Sequence, residues 1–395
     1  MKKLLLLAII ALSANMVNAQ WQITSGPSGG NIWCLAASGT NIFAGTNWGG
    51  AFITTDNGNT WTAVNSGLTN LCVRSFAVSG TNIFAGTAAG VFLSTNNGSS
   101  WTASSSGLTN TYIYALLVSG TNIFAGTDNG VFLSTNNGSS WTAASSGIPA
   151  STSVRSLVIS GTNIYAGTYS GGVYLSANNG NSWTASNSGL SNLYAISLAV
   201  SGTNIFAGTY NGAFLSTDNG SSWNAASNGL PNGTYINALA INGTSIFAGS
   251  SSGCLYLSTD NGSSWTSVNN GLSATYSILS FAISGTNIFA GTEGNSVWKR
   301  SLSEMGIIET IDNISFMLYP NPNNGKFKID IANKQLSSAK INLEIHDAHG
   351  KIIFTVPDLK QQTSNEINIS IFPKGIYFVK INDGEKIYTK KIVIQ

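Results

Sequence analysis

The amino-acid sequence predicts an all-β protein, with a seven-bladed β-propeller closed by its N-terminal strand and a small Ig-like β-sandwich after it. Three observations support this prediction. A phrase of about 41 residues recurs through residues 20–300, a short N-terminal segment repeats the end of that phrase, and residues 317–395 change in composition. Repeats of this length, built from short β-rich runs, are typical of four-stranded propeller blades.

The repeated phrase has two halves. The first half, SGTNIFAGT or a close variant, occurs seven times, with its glycine at Gly39, Gly80, Gly120, Gly161, Gly202, Gly243 and Gly285. The second half occurs six times and ends at Trp61, Trp101, Trp141, Trp183, Trp223 and Trp265. The apolar residues do not follow a 3.6-residue spacing, which argues against helical repeats.

The third copy allows each strand of a blade to be assigned. Residues 113–118 are predicted as strand A, 122–127 as strand B and 131–135 as strand C, and strand D starts near Trp141. The pair Asn137-Gly138 supplies the positive φ angles that a tight hairpin between C and D needs. Strands A and B are apolar or small throughout, so we expect both of their faces to be buried. Strand D is polar, as expected of an outer strand.

Seven first halves and six second halves leave the last blade one strand short. Residues 21–26 align with residues 61–67 after one deletion. We therefore predict that the N-terminal segment is strand D of the seventh blade. Such closure removes exposed sheet edges.

Residues 1–19 have the features of a signal peptide, because Lys2 and Lys3 precede an apolar run and Ala19 ends a small-residue cleavage site. The alternative, a membrane anchor, is disfavoured because the run is too short to span a bilayer, and no later stretch is long and apolar enough. The predicted order is signal peptide (1–19), propeller (20–300), linker (301–316) and second β domain (317–395).

The propeller is poor in charge, whereas soluble domains are typically about a quarter charged. Its basic residues are Arg74, Arg155, Lys299 and Arg300, and its acidic residues are Asp56, Asp128, Asp218, Asp260 and Glu293. So few cations argue against nucleic acid as a partner, since binding to its phosphate backbone needs several of them.

Three cysteines, Cys34, Cys72 and Cys254, give an odd number for an exported protein. Cys34 and Cys72 begin adjacent blades near the axis, but their repeat positions differ by three residues. A disulfide between them and free buried thiols both remain open.

The second half of the repeat resembles the Asp-box, or BNR, repeat of sialidase-like and photosystem-assembly-factor-type propellers, whose pattern is Ser-x-Asp-x-Gly-x-Thr-Trp. The acidic position is occupied by Asp56, Asn96, Asn136, Asn178, Asp218 and Asp260. The resemblance implies that this side chain ties down backbone amides between strands C and D, and that the tryptophan packs inside the blade. Because asparagine accepts the same hydrogen bond, the substitutions favour a structural role for these residues.

Residues 317–395 resemble the type A C-terminal sorting domain of the type IX secretion system. The residues that carry the resemblance are Tyr319, Pro320, Asn321, Pro322, Gly325, Gly350, Lys351, Gly375, Tyr377, Lys390 and Lys391. The resemblance implies a β-sandwich that directs the protein to the secretion machinery and is commonly cut off afterwards, leaving the protein at the cell surface or in the medium. His346 and His349 lie in this domain, and we expect them to be surface residues rather than metal ligands.

The propeller sequence offers no catalytic constellation. Sialidases use three arginines, a Tyr/Glu pair and an aspartate, whereas Arg300 lies in the outer part of the last blade, away from Arg74 and Arg155. Glycosidases need two carboxyl groups within about 9.5 Å, but Asp128 and Glu293 lie in B–C loops on nearly opposite sides of the ring. Residues 20–300 contain no histidine, which excludes a Ser-His-Asp triad there. No metal or cofactor is predicted.

The repeats indicate where a ligand would bind. The A–B and C–D turns hardly change between blades, while the B–C loops and the start of strand A vary. The variable positions at the start of strand A align as one column at the channel mouth, namely Trp33, Arg74, Tyr114, Arg155, Ile196, Asn237 and Leu279. The neighbouring D–A connections contribute Tyr112, Tyr194, Tyr235 and Tyr276. The candidate ligand-binding residues are Trp33, Trp48, Arg74, Tyr114, Asp128, Arg155, Tyr169, Tyr210, Asn237 and Glu293.

Aromatic rings beside Asn and Ser suit sugar faces and neutral polar ligands, and the cluster of Arg74, Tyr114 and Arg155 suits an anion. Solvated loop tips without function are the alternative interpretation. The sequence thus favours an exported, non-catalytic propeller that binds a glycan or an extracellular or outer-membrane protein through this face. A divergent sialidase-like glycoside hydrolase and a protein-assembly scaffold remain alternatives.

Overall fold

The structure is a computed structural model that describes residues 20–28, 30–272, 275–294, 296–307, 316–331, 342–347, 350–357, 365–382 and 387–394. The predicted signal peptide and His349 lie outside the described residues. The chain divides into two compact units, Met1–Ile308 and Glu309–Gln395. Among the described residues, no helix is long and apolar enough to cross a membrane.

The described part of the first unit is built from short strands. In chain order they are β1 (Gln22–Ile23), β2 (Ile32–Ser38), β3 (Asn41–Thr46), β4 (Ala51–Thr54), β5 (Thr62–Ala63), β6 (Val73–Ser79), β7 (Asn82–Thr87), β8 (Gly90–Ser94), β9 (Thr102–Ala103), β10 (Ile113–Ser119), β11 (Asn122–Thr127), β12 (Gly130–Ser134), β13 (Thr142–Ala143), β14 (Val154–Ser160), β15 (Asn163–Thr168), β16 (Val173–Ser176), β17 (Thr184–Ala185), β18 (Ala195–Ser201), β19 (Asn204–Thr209), β20 (Gly212–Ser216), β21 (Asn224–Ala225), β22 (Ile236–Asn242), β23 (Ser245–Ser250), β24 (Leu255–Ser258), β25 (Thr266–Ser267), β26 (Ile278–Ser284), β27 (Asn287–Thr292) and β28 (Val297–Ser301). A 3-10 helix, Ser303–Met305, follows β28.

Within these described residues the strands pair into seven four-stranded antiparallel sheets, six of them made of consecutive strands. The first strand of each sheet, strand A, contacts strand A of both neighbouring sheets, and β26 contacts β2. The sheets therefore form a closed ring with the A strands inside, as in a β-propeller.

The seventh sheet confirms the predicted role of the N-terminal segment. Strand β1 pairs antiparallel with β28, with Gln22 opposite Lys299 and Ile23 opposite Trp298. The hydroxyl of Thr24 also donates to the carbonyl oxygen of Val297 at 2.8 Å. The last sheet thus takes its outer strand from the start of the described chain.

The sheet of β10 to β13 agrees with the predicted strands to within one residue at most ends. Asn137 and Gly138 have φ angles of 54° and 79°, so the C–D hairpin has the predicted turn geometry. Strand β13 is exposed, as expected of an outer strand.

The expectation that strand A is buried on both faces is wrong. Strand β11 is buried along almost its whole length, whereas in β10 only Ile113 and Ala115 are buried and the other five residues are partly buried. The reason is that strand A is the inner edge strand of its sheet, so no further strand of the sheet covers its inner side.

The turn between strands C and D is held by the residue at the acidic position of the repeat. An Oδ1 atom of Asp260 accepts hydrogen bonds from the Ser258 hydroxyl at 2.8 Å and the Ser264 amide at 2.9 Å. Asn136 Oδ1 makes the equivalent pair of hydrogen bonds, each of 2.9 Å, with Ser134 and Ser140. The hydrogen bonds from Ser264 lower the pKa of Asp260 to about 2.

The repeat tryptophans join adjacent sheets rather than packing inside a single blade. The Trp141 ring lies in a buried cluster with Phe84 of β7 and Phe132 of β12, and its Nε1 donates to the carbonyl oxygen of Ser104, in the preceding sheet, at 2.7 Å. Trp21 makes the corresponding bond to the Val268 carbonyl oxygen at 2.9 Å. The tryptophan is therefore an inter-sheet contact, and Trp21 continues it across the closing sheet.

The predicted linker starts too early. Ser301 belongs to β28, and Leu302 and Ile307 are buried in the core of the first unit. These two apolar side chains pack on the last sheet, so residues 301–307 belong to the first unit.

The described strands of the second unit are β29 (Phe316–Tyr319), β30 (Lys326–Ile331), β31 (Asn342–His346), β32 (Ile352–Val356), β33 (Asn365–Asn368), β34 (Gly375–Asn382) and β35 (Ile387–Ile394). They form a three-stranded sheet, β29-β30-β33, and a four-stranded sheet, β32-β31-β34-β35. Side chains of both sheets, such as Ile329 and Val379, share one hydrophobic core.

The expectation that His346 is a surface residue is wrong, because its side chain is buried. Its Nδ1 lies 3.0 Å from the carbonyl oxygen of Gly350, and its Nε2 lies 2.9 Å from a carboxylate oxygen of Glu344. Both ring nitrogens have protein partners, so the imidazole closes the turn after β31.

The three cysteines are free thiols. Cys34 is buried, and burial raises the pKa of its thiol. Cys72 and Cys254 are partly buried. The disulfide that the sequence left open between Cys34 and Cys72 is not formed.

Candidate functional site

A cavity of about 240 Å³ opens at the axis of the ring. It is lined by Trp33, Arg74, Tyr114, Arg155, Tyr169, Ile196, Tyr210, Asn237 and Leu279. The sequence column at the start of strand A is present in full, and two tyrosines from B–C loops join it. We call this cavity the channel mouth.

The backbone explains why these seven positions point into one cavity. Each is the second residue of its A strand, and at each the pairing with strand B shifts register, as between Ile113 and Ala115 around Tyr114. The same shift recurs in the other six sheets of the described ring. A β-bulge leaves one residue unpaired and re-aims its side chain. Each sheet therefore presents one bulged residue to the channel mouth.

Two bulged residues are arginines whose guanidinium groups lie against aromatic rings. The Cζ atom of Arg74 is 4.3 Å from the ring centroid of Trp33 and 4.8 Å from that of Tyr112. The Cζ atom of Arg155 is 3.6 Å from the ring centroid of Tyr114 and 5.1 Å from that of Tyr169. These distances are those of cation–π contacts.

Neither arginine has a carboxylate partner within the described residues. The ion pairs found there, Lys328 with Glu366 and His346 with Glu344, lie in the second unit. The Nε atoms of Arg74 and Arg155 are buried and have no hydrogen-bond partner. The aromatic rings thus hold two cations whose buried Nε–H groups have no hydrogen-bond partner among the described residues.

Beyond Arg155 the rim of the channel mouth is made of tyrosines. The rings of Tyr194, Tyr210 and Tyr235 are stacked, with neighbouring centroids 4.9 Å and 4.6 Å apart. The Tyr169 ring meets those of Tyr194 and Tyr210 edge-on, at 5.2 Å and 5.9 Å. Burial and a hydrogen bond with Tyr169 raise the pKa of Tyr210 to about 12. The Tyr210 hydroxyl is therefore neutral near pH 7.

Asp128 supports the site without lining it. Burial and a hydrogen bond to Asp128 raise the pKa of Tyr114 to about 12. Asp128 also accepts a hydrogen bond from the Ser153 hydroxyl at 3.2 Å. Its carboxylate thus anchors Tyr114, the ring on which Arg155 lies.

Seven of the ten predicted ligand-binding residues line the cavity, and Trp48, Asp128 and Glu293 do not. Trp48 is 74% exposed. Glu293 is exposed and accepts a hydrogen bond from the Ser277 hydroxyl at 2.6 Å. Ile196 and Leu279 also line the cavity. Their position in the repeat predicts this location, whereas their chemistry does not.

The described lining of the channel mouth contains no carboxylate, so a carboxylate pair for general acid–base chemistry is not among these residues. Across the described residues, no group of three or more His, Cys, Asp and Glu could hold a metal ion. The residues that line the channel mouth can bind a ligand through aromatic stacking, hydrogen bonds and positive charge.

The predicted sorting residues have structural roles in the second unit. Asn321 accepts a hydrogen bond from the Val393 amide at 2.9 Å and donates to the Lys391 carbonyl oxygen at 3.0 Å, so it ties the turn after β29 to β35. Tyr377 is buried and donates to the Pro373 carbonyl oxygen at 2.6 Å. The remaining motif residues are spread over the unit. Tyr319 ends β29, Pro320, Pro322 and Gly325 lie between β29 and β30, Gly350 and Lys351 lie between β31 and β32, and Gly375 and Lys390 lie in β34 and β35.

Two family models match the chain. Residues 317–395 match the secretion system C-terminal sorting domain, and residues 109–235 match the DUF6242 beta propeller domain. No curated protein matches the chain. The sorting domain indicates export to the cell surface or the medium.

Several solved structures share the fold. YCF48 bound to D1 peptide is 16% identical, with a TM-score of 0.58 over 71% of this chain and 96% of its own. The GH74 xyloglucanase from Xanthomonas campestris is 19% identical, with a TM-score of 0.57 over 72% of this chain and 54% of its own. PorZ, an essential bacterial surface component of the type-IX secretion system of Porphyromonas gingivalis, is 14% identical, with a TM-score of 0.55 over 94% of this chain and 60% of its own. At these identities the likeness shows the fold alone, and the chain is a β-propeller with a type IX secretion C-terminal sorting domain at residues 317–395.

Proposed function

We propose that this protein is an exported, non-catalytic, seven-bladed β-propeller that binds a glycan or protein partner at the channel mouth. Residues 317–395, an Ig-like sandwich, deliver it through the secretion machinery, and the mature chain begins near Gln20. The observation that carries the proposal is the set of seven bulged positions, which all face one cavity and differ from sheet to sheet.

The contrast between these positions and their neighbours supports a binding role. The residue before each bulge is Ile, Val or Ala and is fully buried. The bulged residue is Trp, Arg, Tyr, Arg, Ile, Asn or Leu. Packing therefore restricts the residue type at the position before the bulge and leaves it unrestricted at the bulge itself. A rigid scaffold accommodates recognition residues in this way.

A glycan suits the chemistry of this surface. The cavity of about 240 Å³ lies just below the size range of small-molecule pockets, which begins at about 300 Å³, so it would hold part of a longer ligand. Tyr169, Tyr194 and Tyr235 are 42%, 38% and 45% exposed, and aromatic side chains offer an apolar face together with a polar tip. Rings of this kind at a rim can support successive sugar units of a chain.

The proposal that the protein is non-catalytic rests on where its acidic residues lie. Asp56, Asp218 and Asp260 hold C–D turns through hydrogen bonds to neighbouring hydroxyls and amides. Asp128 and Glu293 hold Tyr114, Ser153 and Ser277 and lie outside the cavity lining. We therefore assign the Asp-box residues a structural role.

The test is a glycan-array screen of the mature chain, residues 20–395, beside two variants. Tyr210→Ala/Asn237→Ala changes the channel mouth, and Thr121→Ala/Thr162→Ala changes two exposed positions in A–B turns on the opposite face. We expect binding that the first variant loses and the second keeps. Binding that survives in the first variant would place the ligand elsewhere.

Two further results would redirect the proposal. Hydrolysis of a bound glycan that stops in the Tyr210→Ala/Asn237→Ala variant would establish an enzyme and contradict the non-catalytic reading. If no glycan binds, affinity capture of an outer-membrane or extracellular protein that depends on the same two residues would establish the protein-partner form.

A further inference from the structure

The ring-held arginines allow the ligand class to be named, provided that the proposed function is right. We infer that the channel mouth binds an acidic glycan. A carboxylate or sulfate group would be held by the N–H edges of Arg74 and Arg155, and the adjoining sugar would lie against the rim tyrosines.

The distribution of charge is the first step. Residues 20–300 contain four basic residues, and two of them, Arg74 and Arg155, line the same small cavity. The described lining contains no acidic residue, and the two acids of the surrounding loops are hydrogen-bonded to Tyr114, Ser153 and Ser277. The channel mouth therefore carries two positive charges on an otherwise sparsely charged domain.

The contacts between the guanidinium groups and aromatic rings are the second step. Aromatic rings lie close to both groups, at 4.3 Å and 4.8 Å from Arg74 and at 3.6 Å and 5.1 Å from Arg155. A guanidinium that stacks on a ring keeps its N–H donors in its own plane, where they match the oxygens of a carboxylate, phosphate or sulfate. Stacking also restricts the side chain before the ligand arrives, which reduces the entropy cost of binding.

The third step is that a buried N–H donor of each arginine lacks a hydrogen-bond partner. The Nε atoms of both arginines are buried and have no hydrogen-bond partner within the described residues. Leaving a buried donor unpaired is unfavourable, more so for a charged group. An anion at the channel mouth would balance the positive charge of both guanidinium groups, whereas a neutral sugar would supply only weaker hydrogen-bond acceptors.

The position of the tyrosines favours a sugar over a small inorganic anion. Tyr169 lies 5.1 Å from Arg155 and also contacts Tyr194 and Tyr210. The anion site and the tyrosine rim are therefore continuous. A ligand that fills both needs a charged group attached to a ring-sized polar body, which describes a uronic acid or a sulfated sugar.

The test uses matched pairs of polysaccharides and the mature chain, residues 20–395. Polygalacturonate is compared with its carboxyl-reduced neutral form, and dextran sulfate with dextran. We expect at least one charged chain to bind at least tenfold more tightly than its neutral partner, and this preference should shrink as salt rises. The pair that responds tells a carboxylate ligand from a sulfate ligand.

Variants locate the charge effect. Arg74→Gln/Arg155→Gln should weaken binding of the charged chain by roughly tenfold or more, since hydrogen bonds to charged groups are among the stronger ones. Arg74→Lys/Arg155→Lys keeps the charge and loses the planar fork, so it should bind with intermediate affinity. Lys299→Gln removes a partly buried cation that lies outside the cavity lining. It should bind like the parent, and melting temperatures verify that each variant is folded.

Two results would overturn the inference. The first is the lack of a charge preference, either because charged and neutral polysaccharides bind equally or because none of the four polysaccharides binds. The second is a preference for the charged polysaccharide that persists in the Arg74→Gln/Arg155→Gln variant. Neutral glycans that bind on the array and depend on Tyr210 and Asn237 would leave the proposed function standing while refuting the acidic ligand.

Discussion

Replacing Trp141 with alanine should destabilise the propeller more than any exposed substitution of the same kind. The Trp141 ring is 2% exposed and packs between two sheets. Truncating a fully buried Phe or Trp to Ala costs about 3–5 kcal/mol. Loss of the 2.7 Å hydrogen bond also leaves the buried carbonyl oxygen of Ser104 without this donor, at a further cost of about 1 kcal/mol or more.

The free energy of unfolding should therefore fall by about 5 kcal/mol. Urea unfolding, followed by near-ultraviolet circular dichroism, would give the midpoint and slope for parent and variant. Trp141→Phe separates the two contributions, because it retains an aromatic ring and loses only the N–H donor and part of the area. The free energy of unfolding of Trp141→Phe should lie between those of the parent and of Trp141→Ala.

Trp48→Ala is the matched control, because it removes the same side chain from a position that is 74% exposed. Such a surface change should alter stability by no more than about 0.5 kcal/mol. If Trp141→Ala and Trp48→Ala unfolded at the same urea concentration, the assignment of the repeat tryptophan as an inter-sheet contact would be refuted.

Three other properties can be tested in the same way. The pKa of each Asp-box aspartate is lowered to about 2 from an ordinary value of 3.8, so the stability that these residues contribute is complete above pH 4 and is lost as the pH falls toward 2. The variant Asp56→Asn/Asp218→Asn/Asp260→Asn should therefore show a smaller fall in melting temperature between pH 4 and pH 2 than the parent. An equal fall in both proteins would contradict this. A methyl group at Gly138 would meet Ser104 Oγ at 2.6 Å and Phe84 at 2.9 Å, whereas at Gly120, which also has a positive φ, it would meet nothing within 4 Å. Gly138→Ala should therefore lower the melting temperature by much more than Gly120→Ala does. Equal shifts for the two variants would exclude crowding as the cause. Deleting residues 20–26 removes β1 and should produce aggregation through the edge of β28, so a monodisperse deletion variant in size-exclusion chromatography, with the melting temperature of the parent, would be evidence against closure.

The sequence was most informative where local chemistry alone determines the backbone. Asn137 and Gly138 adopt the positive φ angles that their types favour, and the alignment of Trp21 with the repeat tryptophans located the closing strand. The column of bulged residues could also be found, because the near-identity of the repeats assigns Ile196 and Leu279 to the same position as Arg74.

Contacts between separate loops could not be read in this way. The stack of Tyr194, Tyr210 and Tyr235 combines residues of two D–A connections and one B–C loop, and the repeat does not show that these two kinds of loop meet. His346 was misassigned because a polar residue near a turn is usually exposed, whereas here Glu344 and Gly350 satisfy both ring nitrogens. Trp48 and Glu293 have suitable chemistry, but both are exposed and neither lines the cavity.

The seam between β1 and β28 has a consequence for how the molecule folds. Thr24 and Val297, which are hydrogen-bonded there, are 273 residues apart in the chain. Contacts of such high sequence separation form slowly, because the entropy of closing a long loop must be overcome first. Six sheets can assemble from neighbouring strands as the chain emerges, but the seventh must wait for its last residues. Until then two strand edges remain unpaired, so the interval before the seam closes is the stage at which this propeller is most exposed to misassembly and to proteases.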